Sequence, residues 1–254
     1  MSVAPEHITS ANNPLIKDLR KLSSDNTAYR KLGQIWLEGD HLAKAALLRG
    51  FKPVLALFSE SFWPLAQSIY ARAATKNIVI ADALFAQISG LESPARMGFV
   101  LDLPAQPPVS PQVASLILDR VQDAGNVGSM LRSAAAFGFG QVIALKGTAA
   151  LWSPKVLRAG MGAHFGLHLL EGVEPDELVA LTVPLVVTSS HGGGVLGQIN
   201  LPKPCAWVMG HEGQGVSDQL MALAALKVRI GQPGGEESLN VAAAAAICMH
   251  FSSM

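Results

Sequence analysis

The chain has 254 residues, of which 50% are hydrophobic and 15% are charged, and its formal net charge at pH 7 is zero. This composition fits a globular enzyme and excludes a disordered, coiled-coil or fibrous protein. The length exceeds the roughly 100–200 residues of one ordinary domain, which predicts two domains, and the zero charge restricts any nucleic-acid contact to a local surface.

The first 32 residues predict a basic helical extension. Asn12-Asn13-Pro14 is a turn and helix-start signal, and apolar residues follow at helical spacing from Leu15 to Leu22. The basic side chains of this stretch are Lys17, Arg20, Lys21, Arg30 and Lys31. A solvated helix face and a contact with RNA phosphates both explain these charges, and the sequence leaves the two open.

Signals of membrane targeting and of metal binding are missing from the sequence. Met1 to Ser10 lack a basic stretch followed by an apolar core, and no apolar run approaches the roughly 18 residues of a membrane span. Cys205 and Cys248 lack the spacing of a zinc site. We therefore expect a cytoplasmic protein with no membrane partner, no metal and two buried, reduced thiols.

Short apolar runs alternate with helical segments from Gln34 onward, which is an α/β pattern. The apolar runs are Ile35-Trp36-Leu37, Val54 to Phe58 and Ile78-Val79-Ile80, and the helical segments between them are His41 to Leu48 and Trp63 to Ala74. Four prolines in the eight positions from Pro104 to Pro111 then predict an extended spacer. We therefore expect an N-terminal domain over residues 1–103 and a linker over residues 104–112.

The alternation resumes in a second predicted domain over residues 113–254. Its buried, strand-like runs are Ser115 to Asp119, Val142 to Leu145, Pro184 to Thr188 and Ala206 to Met209. Helical segments separate these runs, so the sheet should be largely parallel. Ligands bind beyond the carboxyl ends of such strands, which places the chemistry in the loops that follow them.

A glycine turn after the first of these strands leads into a helix through Asn126-Val-Gly-Ser-Met-Leu-Arg132. Asn126 is expected at the N-cap, which puts Arg132 about one and a half turns into the helix, near the positive end of its macrodipole. A cation gains nothing there, so Arg132 has either a functional role or a nearby carboxylate partner. The full G-x-G-x-x-G and P-loop patterns are absent, which argues against an NAD enzyme and against nucleotide hydrolysis.

Two further glycine-rich loops follow. Gly210-His-Glu-Gly-Gln-Gly215 surrounds Glu212 with glycines, so backbone can approach a ligand while the carboxylate orients that ligand or satisfies backbone donors. In Ile230-Gly-Gln-Pro-Gly-Gly-Glu-Glu-Ser-Leu-Asn-Val241, Ser238 is the expected N-cap of an alanine-rich helix, with Asn240 in its first turn. The small residues of that helix suit a tight interior crossing or a subunit interface.

In their order and spacing, the three loops resemble the three signatures of the SpoU, or TrmH, branch of the SPOUT RNA methyltransferases. The resemblance covers residues 113–254 and includes Ser153 to Gly162, where Gly160 stands at a position that is often serine. Gly231-Gln232-Pro233 departs from the family pattern, in which proline and methionine often follow the isoleucine. This departure affects the expected contacts of the cofactor loop and leaves the resemblance to the family unchanged.

The resemblance also implies a fold and an assembly. Residues from about Gly33 to Leu103, with Leu37-Glu-Gly39, resemble the small ribosomal-protein-like (L30e-like) α/β domain that precedes the catalytic domain in many members and helps bind RNA. The implied fold is α/β. The small domain comes first in the chain, and a trefoil-knotted C-terminal SPOUT domain with a mostly parallel sheet follows it. The implied assembly is a homodimer whose site lies near the subunit interface.

The implied reaction is S-adenosylmethionine-dependent methylation of a ribose 2'-hydroxyl, with rRNA favoured over tRNA as the RNA partner. By family likeness, the cofactor is held by Thr188, Gly210, Ile230, Ser238 and Leu239. The implied catalytic set is Arg132, Asn126, Glu212, Ser238 and Asn240, with Arg132 acting as a base or as a binder of phosphate and oxyanion. Two alternatives remain: a non-catalytic RNA-binding member of the same fold, and a metabolic α/β enzyme for a small nucleotide.

Overall fold

The computed structural model describes residues 4–91, 93–189, 192–234 and 238–254 of the chain. Positions 235–237 of the third glycine-rich loop therefore lie outside the described residues. The chain divides into two compact units, Met1–Ala105 with Trp152–Phe165 and Gln106–Leu151 with Gly166–Met254. Among the described residues, no helix is long and apolar enough to cross a bilayer.

The secondary structure follows the predicted alternation of strands and helices. The strands are β1 (Glu6–Ile8), β2 (Gln34–Glu38), β3 (Leu55–Ser59), β4 (Lys76–Ile80), β5 (Met97–Asp102), β6 (Ser115–Leu118), β7 (Gln141–Leu145), β8 (His168–Val173), β9 (Leu185–Thr188), β10 (Gly194–Val195), β11 (Ala206–Met209) and β12 (Leu226–Arg229). The α-helices are α1 (Pro14–Ser24), α2 (Ala28–Leu32), α3 (Asp40–Leu48), α4 (Trp63–Tyr70), α5 (Asp82–Ala86), α6 (Ala124–Ala136), α7 (Pro154–Gly160), α8 (Asp218–Leu223) and α9 (Val241–Ser253). Short 3-10 helices cover Ala163–Gly166 and Pro175–Ala180.

The first unit contains a mixed sheet in the order β1-β4-β3-β5-β2. Strands β1, β4 and β3 are parallel neighbours, whereas β5 pairs antiparallel with both β3 and β2. Helix α1 begins where predicted, because the side chain of Asn13 accepts a hydrogen bond from the N–H of Leu15 at 2.9 Å. Its apolar stripe is buried, so Lys17 and Lys21 point to the exposed face.

The second unit contains a sheet in the order β10-β12-β9-β11-β6-β7-β8, and its strand pairs among the described residues are all parallel. This confirms the prediction of a largely parallel sheet. The inner strands β6, β7, β9 and β11 are mostly apolar runs, as is typical of parallel sheets that are covered on both faces. Its core side chains include Ile117, Ile143, Leu170, Val187 and Val208.

Cys205 and Cys248 are free and buried in this unit, as expected. Burial raises the pKa of the Cys248 thiol to about 12, and the neighbouring Cys205 adds to the shift. Both thiols are therefore held in the protonated form at neutral pH.

The sheet order brings the three glycine-rich loops to one edge. Strand β11 lies between β6 and β9, and β12 lies on the other side of β9. The registers pair Met209 with Leu118 and Val228 with Thr188. Because parallel strands end at the same edge, the loops after β6, β11 and β12 meet there, beside the end of β9.

Helix α6 starts earlier than predicted, because Asp123 and not Asn126 is its N-cap. The Asp123 carboxylate accepts a hydrogen bond from the N–H of Asn126 at 2.7 Å, and an ionised oxygen near the helix N-terminus is favoured by the macrodipole. Arg132 is therefore the ninth of 13 helical residues, near the middle of α6. The expected position of Arg132 near the positive end is wrong.

Helix α9 also has a different N-cap from the predicted one. Asn240 caps it, and its Oδ1 accepts hydrogen bonds from the N–H groups of Ala242 and Ala243 at 2.9 and 3.2 Å. The prediction of Ser238 is wrong because serine and asparagine cap helices about equally well, and the path of the preceding chain decides which oxygen reaches the first N–H groups. Ser238 lies exposed just ahead of the cap.

Candidate active site

Glu212 joins the second glycine-rich loop to the first. Its carboxylate accepts hydrogen bonds from the backbone N–H groups of Gln122 and Asp123 at 3.2 and 3.1 Å. It also accepts a hydrogen bond from Nδ2 of Asn126 at 3.1 Å. One carboxylate therefore holds the turn between β6 and α6 against the loop that follows β11.

The surroundings of Glu212 favour its ionised form. Partial burial by itself would raise the pKa of this carboxyl group, but the hydrogen bonds from Asn126 and from backbone N–H groups outweigh burial and lower it. The carboxylate is thus negative at neutral pH, with its oxygens engaged by three donors. It is suited to orienting Asn126 and the first loop.

Asn240 connects the third loop to the same network. Its Nδ2 donates to Oδ1 of Asn126 at 3.0 Å, while its own Oδ1 caps α9. Asn126 therefore donates to Glu212 and accepts from Asn240, which fixes the orientation of its amide. The three residues come from three separate loops, and a continuous chain of hydrogen bonds links them.

The loop after β11 is folded tightly on itself. The backbone of His211 and the backbone of Gly215 exchange two hydrogen bonds, at 3.0 and 2.8 Å. A Cβ at Gly210 would lie only 2.2 Å from the carbonyl carbon of Gly215 and from the nitrogen of Val216. Glycine is therefore required at position 210 by the close approach of two backbone segments.

Two residues that received no role from the sequence lie beside this network. Asp119 is buried and accepts a hydrogen bond from the backbone N–H of Ser217 at 2.6 Å. Arg120 donates to Asp119 at 3.0 Å and to Oε1 of Gln214 at 2.9 Å. The signal in the sequence is an acidic and a basic residue directly after a buried strand, at the edge where ligands bind.

The residues expected to hold a cofactor fall into two groups. Thr188, Gly210 and Ile230 end or directly follow the neighbouring strands β9, β11 and β12, so the structure brings them to one edge. Thr188 and Ile230 are half-buried, and Gly210 is buried. Ser238 and Leu239 lie exposed before the cap of α9.

Arg132 stands apart from the hydrogen-bonded network. It is exposed on α6, and it forms no ion pair or hydrogen bond with any residue that the structure describes. It lies six positions after Asn126, which corresponds to about 9 Å along the helix axis. Within the described chain, no carboxylate partner accounts for this arginine.

The same edge of the sheet combines a buried polar atom in the loop after β12 with a tightly packed glycine at the end of β11. The loop after β12 buries Oε1 of Gln232 without a hydrogen-bond partner among the described residues. Gly210 lets the backbone of Gly215 and Val216 pack directly against it. Among the described residues, no group of three or more His, Cys, Asp or Glu side chains is arranged to hold a metal ion.

Comparison with known proteins places this geometry in a family. The model of the SpoU rRNA methylase family matches residues 114–250. The 23S rRNA (guanosine(2553)-2'-O)-methyltransferase RlmP of Bacillus subtilis is 30% identical over 249 residues, which cover 96% of this chain and 98% of that protein.

Solved structures share the fold over nearly the whole chain. The AdoMet-bound rRNA methyltransferase from Sinorhizobium meliloti superposes with a TM-score of 0.85 at 25% identity, covering 97% of each chain. The SpoU methyltransferase AviRb from Streptomyces viridochromogenes, solved with AdoMet, superposes with a TM-score of 0.84 at 24% identity, covering 95% of this chain and 98% of that one. At that identity, the second structure supports the fold alone.

Proposed function

Because the chain belongs to the SpoU rRNA methylase family, we propose that it transfers a methyl group from S-adenosylmethionine to a ribose 2'-hydroxyl of ribosomal RNA. The observation that carries this proposal is the hydrogen-bonded chain of Glu212, Asn126 and Asn240, which joins the three motif loops at the carboxyl edge of a parallel sheet. We further propose a cytoplasmic location.

The strand ends supply the cofactor site of this proposal. Thr188, Gly210 and Ile230 line the edge, and Ser238 and Leu239 border it from the start of α9. When bound, S-adenosylmethionine supplies an electrophilic methyl group on a sulfonium. The glycine at position 210 lets the loop after β11 fold back against the backbone of Gly215 and Val216, which shapes this edge.

Arg132 acts on the RNA. A guanidinium keeps its proton at ordinary pH, which weighs against its service as a free base. Its fork of donors suits a phosphate of the target nucleotide and the negative charge that develops as the 2'-hydroxyl loses its proton. Arg132 is exposed and has no partner among the described residues, so its donors are available to RNA.

Asn126, Glu212 and Asn240 have a positioning role. Their hydrogen bonds fix the turn before α6 and the start of α9 relative to each other. Methyl transfer needs the attacking oxygen within about 3–3.5 Å of the methyl carbon, so small movements of these loops cost rate. Ser238, which is exposed beside the cap of α9, orients substrate at the same edge.

The first unit binds the RNA. We assign an L30e-like domain to residues 1–103, a linker to residues 104–112 and the SPOUT domain to residues 113–254. The basic side chains of the helical extension, among them Lys17 and Lys31, are exposed and suited to phosphate contacts.

The knot and the homodimer belong to the same proposal. Strands β11 and β12 insert between strands that precede them in the chain, which supports a C-terminal segment threaded through a loop. Leu239, Phe251 and Met254 are exposed apolar side chains at the two ends of α9, which supports an interface on this helix. Light scattering of the purified protein would report the dimer.

The proposed function is tested by methyl transfer from radiolabelled S-adenosylmethionine to rRNA and tRNA transcripts. We expect transfer to rRNA. The methylated RNA should then resist alkaline cleavage on the 3' side of one nucleotide. Arg132→Ala should abolish transfer without lowering Tm, whereas Lys203→Ala, at an exposed lysine of the second unit ahead of β11, should keep the turnover rate. Binding of RNA without transfer would indicate a non-catalytic member, and absence of RNA binding at modest salt would indicate a small-nucleotide enzyme.

A further inference from the structure

Arg120 has an unusual backbone conformation for a residue with a side chain. Its φ of 59° lies in the left-handed region, and among the described residues Met161 is the other non-glycine residue with a positive φ. Met161 is the C-cap of α7, where left-handed residues are common. Arg120 instead follows the end of β6 by two positions, so neighbouring parts of the chain must hold it in this conformation.

Hydrogen bonds fix the backbone on both sides of Arg120. The N–H of Asp119 donates to the carbonyl oxygen of Met209 at 2.8 Å. The carbonyl oxygen of Val121 accepts from the N–H of Ala149 at 2.9 Å. Glycine adopts a left-handed conformation without strain and would satisfy this turn more easily than arginine does. The turn by itself therefore does not explain the arginine, and its side chain must supply the reason.

The side chain of Arg120 reaches from the first glycine-rich loop to the loop after β11. Its stem lies against Gly147, where a Cβ would come within 3.2 Å of the Cγ of Arg120. Nε donates to the buried carboxylate of Asp119 at 3.0 Å, and Nη1 donates to Oε1 of Gln214 at 2.9 Å. One guanidinium thus neutralises a buried charge and binds an exposed glutamine with separate donors.

The contacts of the loop after β11 are of two kinds. His211 binds within the loop, because its Nδ1 accepts from the N–H groups of Gly213 and Gln214 at 3.0 and 3.2 Å. Among the described residues, two side chains of the loop bind outside it: Glu212 binds the turn before α6, and Gln214 binds Arg120. Arg120 is therefore the second attachment of a loop whose glycines make it costly to order.

We propose that Arg120 is a positioning residue that acts through Gln214 and holds the loop after β11 in the conformation that binds the cofactor. This inference rests on the proposed function, in which Gly210 at the start of this loop lines the cofactor site. Without the contact, the binding conformation is populated for a smaller fraction of the time, and the apparent affinity falls with that fraction. Arg120 itself contacts neither the cofactor nor RNA.

The test combines calorimetric binding of S-adenosylhomocysteine with steady-state methyl transfer by the purified full-length chain. Gln214→Met has a similar volume and lacks the acceptor, and it should melt like the wild type because Gln214 is exposed. Arg120→Met removes the guanidinium and should melt at a lower temperature, because the buried Asp119 loses its cation. The double variant completes a mutant cycle. Gln198→Met is the matched control, because Gln198 is an exposed glutamine of the same unit.

We expect Gln214→Met to weaken the binding of S-adenosylhomocysteine by about 3- to 10-fold. The KM for S-adenosylmethionine should rise by the same factor, while kcat and the KM for RNA keep their wild-type values. In the Arg120→Met background, Gln214→Met should cause no further loss of affinity, because the two residues act through one contact. Gln198→Met should change none of these quantities. A merely structural role for Arg120 would lower Tm without producing this coupling.

Three results would overturn the inference. Wild-type affinity of Gln214→Met would mean that its contact with Arg120 does not position the loop. Additive losses of affinity in the double variant would mean that Arg120 acts by neutralising Asp119 and not through Gln214. A raised KM for RNA with unchanged affinity for S-adenosylhomocysteine in Arg120→Met would make this arginine a phosphate contact. If the wild type bound no S-adenosylhomocysteine, the proposed cofactor and this inference would fail together, whereas the first three results leave the proposed function intact.

Discussion

Replacing Glu212 by glutamine tests whether one carboxylate holds the candidate site together. Glutamine keeps one acceptor, which can serve the N–H of Asp123 and the amide of Asn126, but it turns an NH2 group toward the N–H of Gln122. One charge-assisted hydrogen bond is lost and two become neutral. Such bonds contribute about 1.5–3 kcal/mol when charged and about 0.5–1.5 kcal/mol when neutral.

The expected magnitude is smaller than the sum of these bonds, because Glu212 is exposed to solvent in the single chain. Screening by water reduces the electrostatic part, so we expect the free energy of unfolding to fall by about 1–2 kcal/mol at pH 7. At about 2–4 °C per kcal/mol for a protein of this size, Tm falls by about 2–8 °C.

The stabilisation by the Glu212 carboxylate should depend on pH. The pKa of Glu212 in the folded protein lies below its ordinary value of 4.5, so the unfolded chain binds this proton first as the pH falls. The stabilisation is therefore complete above pH 4.5 and is lost as the pH falls through the lowered folded value. The difference in Tm between wild type and Glu212→Gln should shrink in acid.

Scanning calorimetry at pH 7 and at about pH 3.5 measures both effects. Glu60→Gln, at an exposed glutamate, is the control and should leave Tm unchanged at either pH. An equal Tm for wild type and Glu212→Gln at pH 7, or a difference that persists undiminished in acid, would refute the reasoning.

Two further substitutions test the loops separately. Gly210→Ala places a Cβ 2.2 Å from the backbone of Gly215. We therefore expect calorimetry to show at least tenfold weaker cofactor binding, which corresponds to about 1.4 kcal/mol or more. The control Gly192→Ala has open space around its Cβ and should bind the cofactor normally. Asn240→Asp keeps the cap of α9 but loses the donor to Asn126, so methyl transfer should fall while Tm changes by less than in Asn240→Ala, which also loses about 1 kcal/mol of capping. Wild-type transfer by Asn240→Asp, with transfer lost only in Asn240→Ala, would mean that only the cap matters.

The local sequence determined the order of the elements and the position of the chemistry. Runs such as Ser115–Leu118 and Ala206–Met209 lack polar alternation, which indicates a strand buried on both faces of a sheet, and glycine-rich loops follow them. Hydrophobic periodicity is a local property, which is why it predicted a parallel sheet with a site at its carboxyl edge. The shorter β1 and β10 had too few residues to show a period.

Tertiary structure decided which of the motif residues meet. Glu212 and Asn126 lie 86 positions apart, and their contact exists because β11 pairs with β6. Asp123 and Asn240, rather than their neighbours, cap α6 and α9 because the chain path into each helix selects one of several suitable side chains.

The same reason explains Gln232. In the sequence it is a departure from a motif, and a polar residue in a loop is expected to be solvated. Its burial without a partner depends on the strands that surround the loop after β12. Composition and periodicity thus determined the kind of protein and the loops that carry its chemistry, while long-range strand pairing decided which atoms in those loops are bonded to each other.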